Sequence, residues 1–553
     1  MRTRTKATSL LLAGALVVAG CTSNDSDDPN APVAGGELVV LLDAAFAGSW
    51  PTGLDPAENG QGGATLTQNQ AIFGGLFRLV ANDDGSDAKV VGHQAESWEY
   101  FDNGATLKFK LRPGIKFSDG TDFDADAVVF NLRRDWASTC FCRPAWNLAS
   151  QDDDPATPPS AAEAEDSIFA EGDDTVVIKF ADPNGIAVES FLVSNANWIA
   201  SPTALDKQGA DDFRIHPVGA GPFTVVSNEL STELVLQKNP NYFVEGRPYL
   251  DKLTIRSIGG DQPGYQALLA GDADVYEGMT RIPLLEQAKA NADLSVTLQP
   301  ATSPYVIQLN TSIPPFNDKR AREAIYYATD VDAIREGLFK GEYPASQTFT
   351  ASGGLFHHDT IPGYRTYDLQ KAKDLVAEIN AEHAANGQPP FTVDLGTLAA
   401  YVADQVNTTL KTQWEAAGIP TTIHSEQLAG LINNFFGPWQ AMLQTAGAWD
   451  PAIGVGVGFR FLSTAVFSGV HDTRIDDLLT EAAGTTDAAE RDRLYLETGT
   501  LISDEAYAPY ILAFAPATVA LRGVHGPGVD TKVPPTAVNV QISWDDVWKA
   551  PDA

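Results

Sequence analysis

Little in this sequence is suited to redox or metal chemistry. Only three cysteines, three methionines and eight histidines occur among 553 residues, too few thiols for a disulfide framework or a four-cysteine zinc site. Long apolar runs are missing too: past residue 20 no stretch approaches the ~18 uncharged apolar residues that a membrane-spanning helix needs. Cations are scarce, 37 Lys and Arg against 72 Asp and Glu, for a formal charge of -35. A surface so acidic repels phosphate backbones, which argues against nucleic acid as a partner. The sequence also lacks a G-x-S-x-G nucleophile elbow, an H-E-x-x-H zinc helix and a G-x-x-x-x-G-K-[ST] phosphate loop. The expectation is therefore no enzyme, no cofactor and no metal. A secreted hydrolase remains as a rival that a turnover assay on ester, peptide and glycoside substrates would reveal.

What is present begins at the N-terminus. Arg2, Arg4 and Lys6 precede an uncharged stretch from Ser9 to Gly20 that is too short to span a bilayer, so residues 1–20 are read as an export signal. The stretch ends at Cys21, for which nucleophile and anchor are the two readings. Val18-Ala19-Gly20-Cys21 resembles a bacterial lipobox, which implies cleavage before Cys21 and diacylation of its thiol. Two acyl chains suffice for stable anchoring. Residues 21–36 are polar, acidic and rich in Pro and Gly, a composition that does not fold alone and reads as a tether. The expected location is the outer face of the cell membrane, with a mature body that is more acidic still once three cations leave with the signal.

More than 500 residues then remain, and single cores stop growing near ~250–300 residues, so two large lobes are expected. "ELVVLL" (37–42) reads as a buried strand. "TLKFKL" (106–111) sets Leu107, Phe109 and Leu111 against Lys108 and Lys110 with a strand's period of two; "TVVIKF" (175–180) and "LVLQKN" (234–239) behave alike. Residues 151–168 show no apolar period and read as a surface loop. Beyond residue 300 helical spacing dominates. Ala321, Ala324, Ile325 and Ala328 form one stripe, and Asp330 caps a second short helix. Asp368 caps a third helix, and Val402, Val406, Leu410 and Trp414 line a fourth that stops at Gly418. The fold class is α/β.

Several short motifs have competing readings. Asp122, Asp124 and Asp126 imitate the start of a calcium loop, but Ala127 and Arg133 stand where Gly and Glu are needed, so Asp124 reads as a helix cap. His357 and His358 are adjacent without a third ligand and read as loop residues. "IGVGVGF" (453–459) lacks nucleotide-loop spacing and reads as a flexible loop beside a site. For Cys140 and Cys142 a local disulfide and two free thiols both stay open.

Six collinear stretches then carry a resemblance. "AESWEYFDNGATLKFKLRPGIKFSDGTDFDADAVVFNLRR" (95–134) is similar to the signature of the extracellular solute-binding proteins of family 5, the peptide/nickel class. "GAGPFTV" (219–225), "NPNYFVEGRPYLDKLTIR" (239–256), "ALLAGDADV" (267–275), "LNTSIPPFNDKRAREAIYYATDVDAI" (309–334) and "YDLQKAKDLVAE" (367–378) follow in family order. The resemblance implies a two-lobed, periplasmic-binding-protein-like fold of type II, with an extra subdomain. Lobe I would comprise 37–56, 198–302 and 512–553, with 57–197 inserted in it, and lobe II would comprise 303–511.

It also implies a function. Such a receptor, a monomer, closes two lobes on a small solute and docks on ABC permease subunits served by cytoplasmic ATPases. Oligopeptide is the leading cargo; oligosaccharide, haem and metal chelates are the alternatives. Peptide-binding members carry a W-x-x-D-x-x-D-P-like stretch whose first aspartate pairs with the peptide amine. Here Trp449, Asp450 and Pro451 abut, so that partner is missing. The expected ligand-binding residues are Phe46, Trp50, Tyr305, Trp449, Asp450 and Phe459, each with core packing as the alternative.

Overall fold

In the computed structural model the strand candidates pair into two large sheets and one smaller one. It describes residues 31–551 except 46, 60–64, 83–84, 86, 139–145, 151–159, 400, 427, 446, 448, 453–455, 466–467 and 537–541. Cys21, Phe46, Cys140, Cys142, the signal and most of the tether lie outside the described residues. Among the described residues no helix is long and apolar enough to cross a membrane.

The first sheet runs Leu294–Leu298, Ala517–Leu521, Val275–Met279, Glu37–Asp43, Lys252–Ile258, Glu233–Lys238, Phe223–Glu229. The apolar run at 37–42 is its central strand: Val40 lies between Ile255 and Val275, parallel to both, and all three are fully buried. Leu38, Val40 and Leu42 pack on a layer that includes Trp198 and Trp544, while Leu41 faces the opposite core. A strand covered on both faces has no polar side to show, which is why its sequence does not alternate.

The second sheet runs Thr421–Glu426, Val393–Leu398, Ala441–Thr445, Ser303–Leu309, Tyr510–Phe514. Every residue of Ser303–Leu309 is buried. Tyr305, Ile307 and Leu309 face a core shared with Lys319–Ala328 and Tyr401–Ala416; Val306 faces another beneath Thr473–Gly484 and Ala488–Asp504. The predicted helix ends are those observed. Asp330 accepts from Ala333 N at 2.9 Å and Asp368 from Lys371 N at 3.0 Å. Gly418 sits at φ +89°, letting Ile419 N donate to Trp414 O at 2.9 Å, a left-handed helix stop.

A third unit, a four-stranded sheet of Ala95–Phe101, Thr106–Leu111, Thr175–Lys179 and Ile168–Glu171, carries the helix Ala125–Trp136. Asp124 caps that helix, accepting from Ala127 N at 2.9 Å, and Asp122 holds Lys116 at 2.6 Å, so two of the three carboxylates of the calcium-like run are engaged. Residues 106–111 alternate as expected, whereas Val176, Val177 and Ile178, on the neighbouring inner strand, are all buried.

The chain passes between the large sheets twice, through residues 299–302 and back through 515–516. The border expected at 512 falls inside Tyr510–Phe514, a strand of the second sheet. The crossings hold each other: Gln299 N donates to Pro516 O at 3.0 Å.

Candidate ligand-binding cleft

Strand directions locate the cleft. In the first sheet Glu37–Asp43, Lys252–Ile258 and Val275–Met279 run in parallel, and both crossings leave from the edge where they finish, since Leu298 and Met279 each pair with Ala517. In the second sheet Val393–Leu398, Thr421–Glu426 and Ala441–Thr445 are parallel, and the crossings arrive at their C-terminal edge, where Tyr305 pairs with Thr445 and Ser303 with Phe514. The two carboxyl edges therefore face each other, the place where open α/β sheets bind ligands.

A few residues past Thr445, Trp449 and Asp450 lie at the boundary with the inserted subdomain. Trp449 is 4% exposed and packs into the subdomain's own aromatic core rather than its own lobe's. Its N–H donates to Thr536 O of the first lobe at 3.2 Å, and its carbonyl accepts from Leu355 N at 2.7 Å. Nearby, Gly185 N donates to Ala483 O at 2.8 Å, and a Cβ on Gly185 would lie 2.3 Å from Thr485 O. The subdomain and the second lobe thus touch closely.

Beneath Trp449 lies a buried charge cluster. Asp450 is fully buried; its Oδ2 accepts from Arg491 Nη2 at 2.8 Å and its Oδ1 from Ala452 N at 3.0 Å. The Arg491 guanidinium lies 4.9 Å from the Phe356 ring centre. From the subdomain side Glu189 adds a second carboxylate whose enclosed Oε2 finds no hydrogen-bond partner. Burial pushes the Glu189 carboxyl up to about 7, Asp450 pushes the same way, and Arg491 opposes. Tyr100 and Tyr495 complete the cluster, both phenols raised chiefly by burial.

The other expected site residues are not part of this cluster. Trp50 is fully buried in the first-lobe core, donating its indole N–H to Asn228 Oδ1 at 2.9 Å, so it presents no surface to a ligand here. Tyr305 is 8% exposed and packs edge-on against Phe514 at the crossings. Phe459 is half-buried, on Arg460 at 4.9 Å and on the cluster around Trp439. The end of the Gly-rich run read as a loop belongs to a helix, Val457–Phe461. His357 and His358 bond Asp359 and Asp492 at 3.2 and 2.9 Å, and no metal-holding cluster occurs among the described residues. A concavity of about 440 Å³ bordered by His525, Asp530 and Trp548 lies on the first lobe beside the paired strands Val524–His525 and Trp548–Lys549.

Arg491, Glu189, Tyr100 and Tyr495 were not anticipated. One signal was available: Arg491 shares the buried stripe of Ala488–Asp504 with Leu494, Tyr495 and Thr498, a cation at a core position.

Comparison with known proteins agrees with this architecture. The chain is 26% identical over 551 residues to heme-binding protein A of Haemophilus influenzae, covering 94% of this chain and 96% of the relative. It is 29% identical over 500 residues to the glutathione-binding protein GsiB of Shigella flexneri, covering 85% and 87%. The fold matches the binding protein MoaA of A. tumefaciens R10, solved with mannopinic acid, at a TM-score of 0.73 and 22% identity, covering 93% of this chain and 100% of that one. The profile of the bacterial extracellular solute-binding proteins, family 5, matches residues 89–459, which include the inserted sheet, the first crossing and the Trp449-Asp450 contact. With two sheets facing across a double crossing and that match over most of its length, the chain belongs to the family 5 extracellular solute-binding proteins.

Proposed function

We propose that this protein is the lipid-anchored receptor of an ABC importer, holding a small solute between its lobes and releasing it to the permease. The observation that carries the reading is the facing pair of carboxyl edges joined by two short crossings, with the subdomain and second lobe in contact at Trp449. A solute touching both lobes binds the closed arrangement better than an open one, and that difference drives closure. Lipidation at Cys21 would keep the receptor beside its permease.

Oligopeptide is the leading cargo from family membership, but one observation favours a solute without a free amine to be matched. Asp450, the carboxylate nearest in sequence to the peptide-binding motif, is consumed by Arg491. A carboxylate so paired and buried has little left for an ammonium, and a buried unpaired charge costs several kcal/mol. Relatives named for heme and glutathione show that the family accommodates varied cargo.

Native mass spectrometry of the mature protein purified from its own host tests both levels. A ladder of peptides supports the oligopeptide reading; a single chelate, sugar or acid supports the other. A protein that retains nothing and captures nothing from host growth medium refutes the receptor. A hydrophobic mass increment on Cys21, lost in Cys21→Ser, tests the anchor.

A further inference from the structure

Both crossings change lobes at a residue followed by proline, Gln299-Pro300 on the way out and Ala515-Pro516 on the way back. Up to Gln299 the first crossing belongs to the first lobe. Gln299 is 2% exposed, and its amide is spent entirely inside that lobe. Nε2 donates to Gly528 O at 3.1 Å and to Thr518 Oγ1 at 3.3 Å, and Oε1 accepts from Val533 N at 2.9 Å. Thr518 Oγ1 donates to the same Gly528 O at 2.8 Å, so the crossing, the strand Ala517–Leu521 and the turn at 528–533 form one hydrogen-bonded unit. An amide suits this place because it offers a donor and an acceptor together, answering a buried carbonyl and a buried N–H at once.

One residue later the partners change. Gly353 N donates to Ala301 O at 2.7 Å, and a Cβ on Gly353 would lie 2.5 Å from Pro300 Cβ. A Cβ on Gly447 would lie 2.6 Å from Thr302 O. Both glycines belong to the second lobe, which therefore holds 300–302 at backbone contact. The handover between lobes occupies the single step Gln299-Pro300, where proline fixes its own φ near about −65° and restricts the residue before it. On the return, Ala513 N still donates to Pro344 O of the second lobe at 2.8 Å, whereas Ala517 already pairs with Leu298 of the first. Two such points define an axis, and the bond from Gln299 N to Pro516 O at 3.0 Å ties them together.

We infer that Gln299 is a positioning residue for lobe closure: by fastening the first crossing to the turn at 528–533, its side chain fixes where the axis sits on the first lobe and so how the two carboxyl edges meet. This rests on the receptor reading and deepens it. Gln299 governs how strongly every solute is held and leaves the choice among solutes to the cleft.

The test uses full mature protein stripped of solute, with the low-mass fraction of host growth medium as the probe. Small-angle X-ray scattering reads the spacing of the lobes, and native mass spectrometry reads the captured masses. Gln299→Leu removes the three side-chain bonds at similar volume. Without solute it should show a wider spread of lobe separations than wild type. It should capture each wild-type solute about tenfold less well and in unchanged rank order, because a smaller closure-competent fraction scales all affinities alike. Thr518→Val should move both readouts the same way by less. Asn228→Ala, which takes the partner from Trp50 in the same lobe without touching a crossing, should move neither. Wild-type scattering and capture in folded Gln299→Leu, or a changed rank order of solutes, overturns the inference. An equal effect in Asn228→Ala also overturns it, since loss of first-lobe stability would then suffice. If wild type captures nothing the receptor reading falls, and the scattering comparison alone decides on Gln299. Should Gln299→Leu fail to fold, Thr518→Val decides in its place.

Discussion

Arg491 and Arg460 lie in the same lobe, both more than nine-tenths buried, yet in opposite electrostatic settings. Arg491 has Asp450 at 2.8 Å and Glu189 nearby, Arg460 has two amide-type oxygens and no carboxylate, and the Nε of each is enclosed without an acceptor. The first is an ion pair at the junction of lobe and subdomain. The second is held by neutral oxygens. A buried ion without a counter-charge is costly.

The comparison breaks most visibly at Asp450. Asp450→Asn strips Arg491 of its counter-charge, and unfolding of the second lobe should become easier by about 3–5 kcal/mol, read by denaturant titration. A loss below about 1 kcal/mol would mean that the pair contributes nothing to the fold.

Next in size is the pH response of the same cluster. The enclosed Glu189 carboxyl holds its proton up to about 7, against an ordinary value of 4.5 for a hydrated one. The contribution to closure is therefore complete below about 4.5 and lost as pH rises through 7. Between pH 5 and 8 solute affinity should fall by roughly 2–3 kcal/mol, and Glu189→Gln should flatten that slope. A slope unchanged in the variant would assign the response to another group.

Gly185→Ala asks whether the junction must close tightly for binding. Its Cβ would meet the Thr485 carbonyl, a backbone atom that cannot swing aside. Overpacking of this kind costs about 1–3 kcal/mol, so calorimetry should show weaker solute binding while each lobe keeps its circular dichroism. The smallest effect belongs to Arg460. Without solute, Arg460→Gln should shift stability by less than about 1 kcal/mol, because two neutral hydrogen bonds are lost and a dry, unpaired cation is relieved. A large loss there would make Arg460 a structural residue like Arg491.

How much of this could be read from the chain varied with the kind of force involved. Helix caps at Asp124, Asp330 and Asp368 and the stop at Gly418 are local, so a few adjacent residues announced them. The missing spacing between Trp449 and Asp450 was visible as well, and the ion pair with Arg491 gives it a physical meaning. Trp50 was a reasonable cleft candidate just past a strand end, but its indole N–H finds Asn228, far along the chain, and turns the ring inward. Nothing local predicts that bond. The Gly-rich run was read as a loop, whereas Val457–Phe461 is helical and half covered by neighbouring elements that arrive from elsewhere.

By itself the sequence determined the apolar strands and amphipathic helices, the family and the expectation of two lobes, because periodicity, caps and collinear motifs are written in neighbouring residues. Only the tertiary structure decided which buried charges are answered. Whether a guanidinium meets a carboxylate depends on contacts such as Asp450 with Arg491, 41 positions apart, and on Glu189 arriving from a separate subdomain. Electrostatic energy depends on distance and burial in space, and neither is encoded by proximity along the chain.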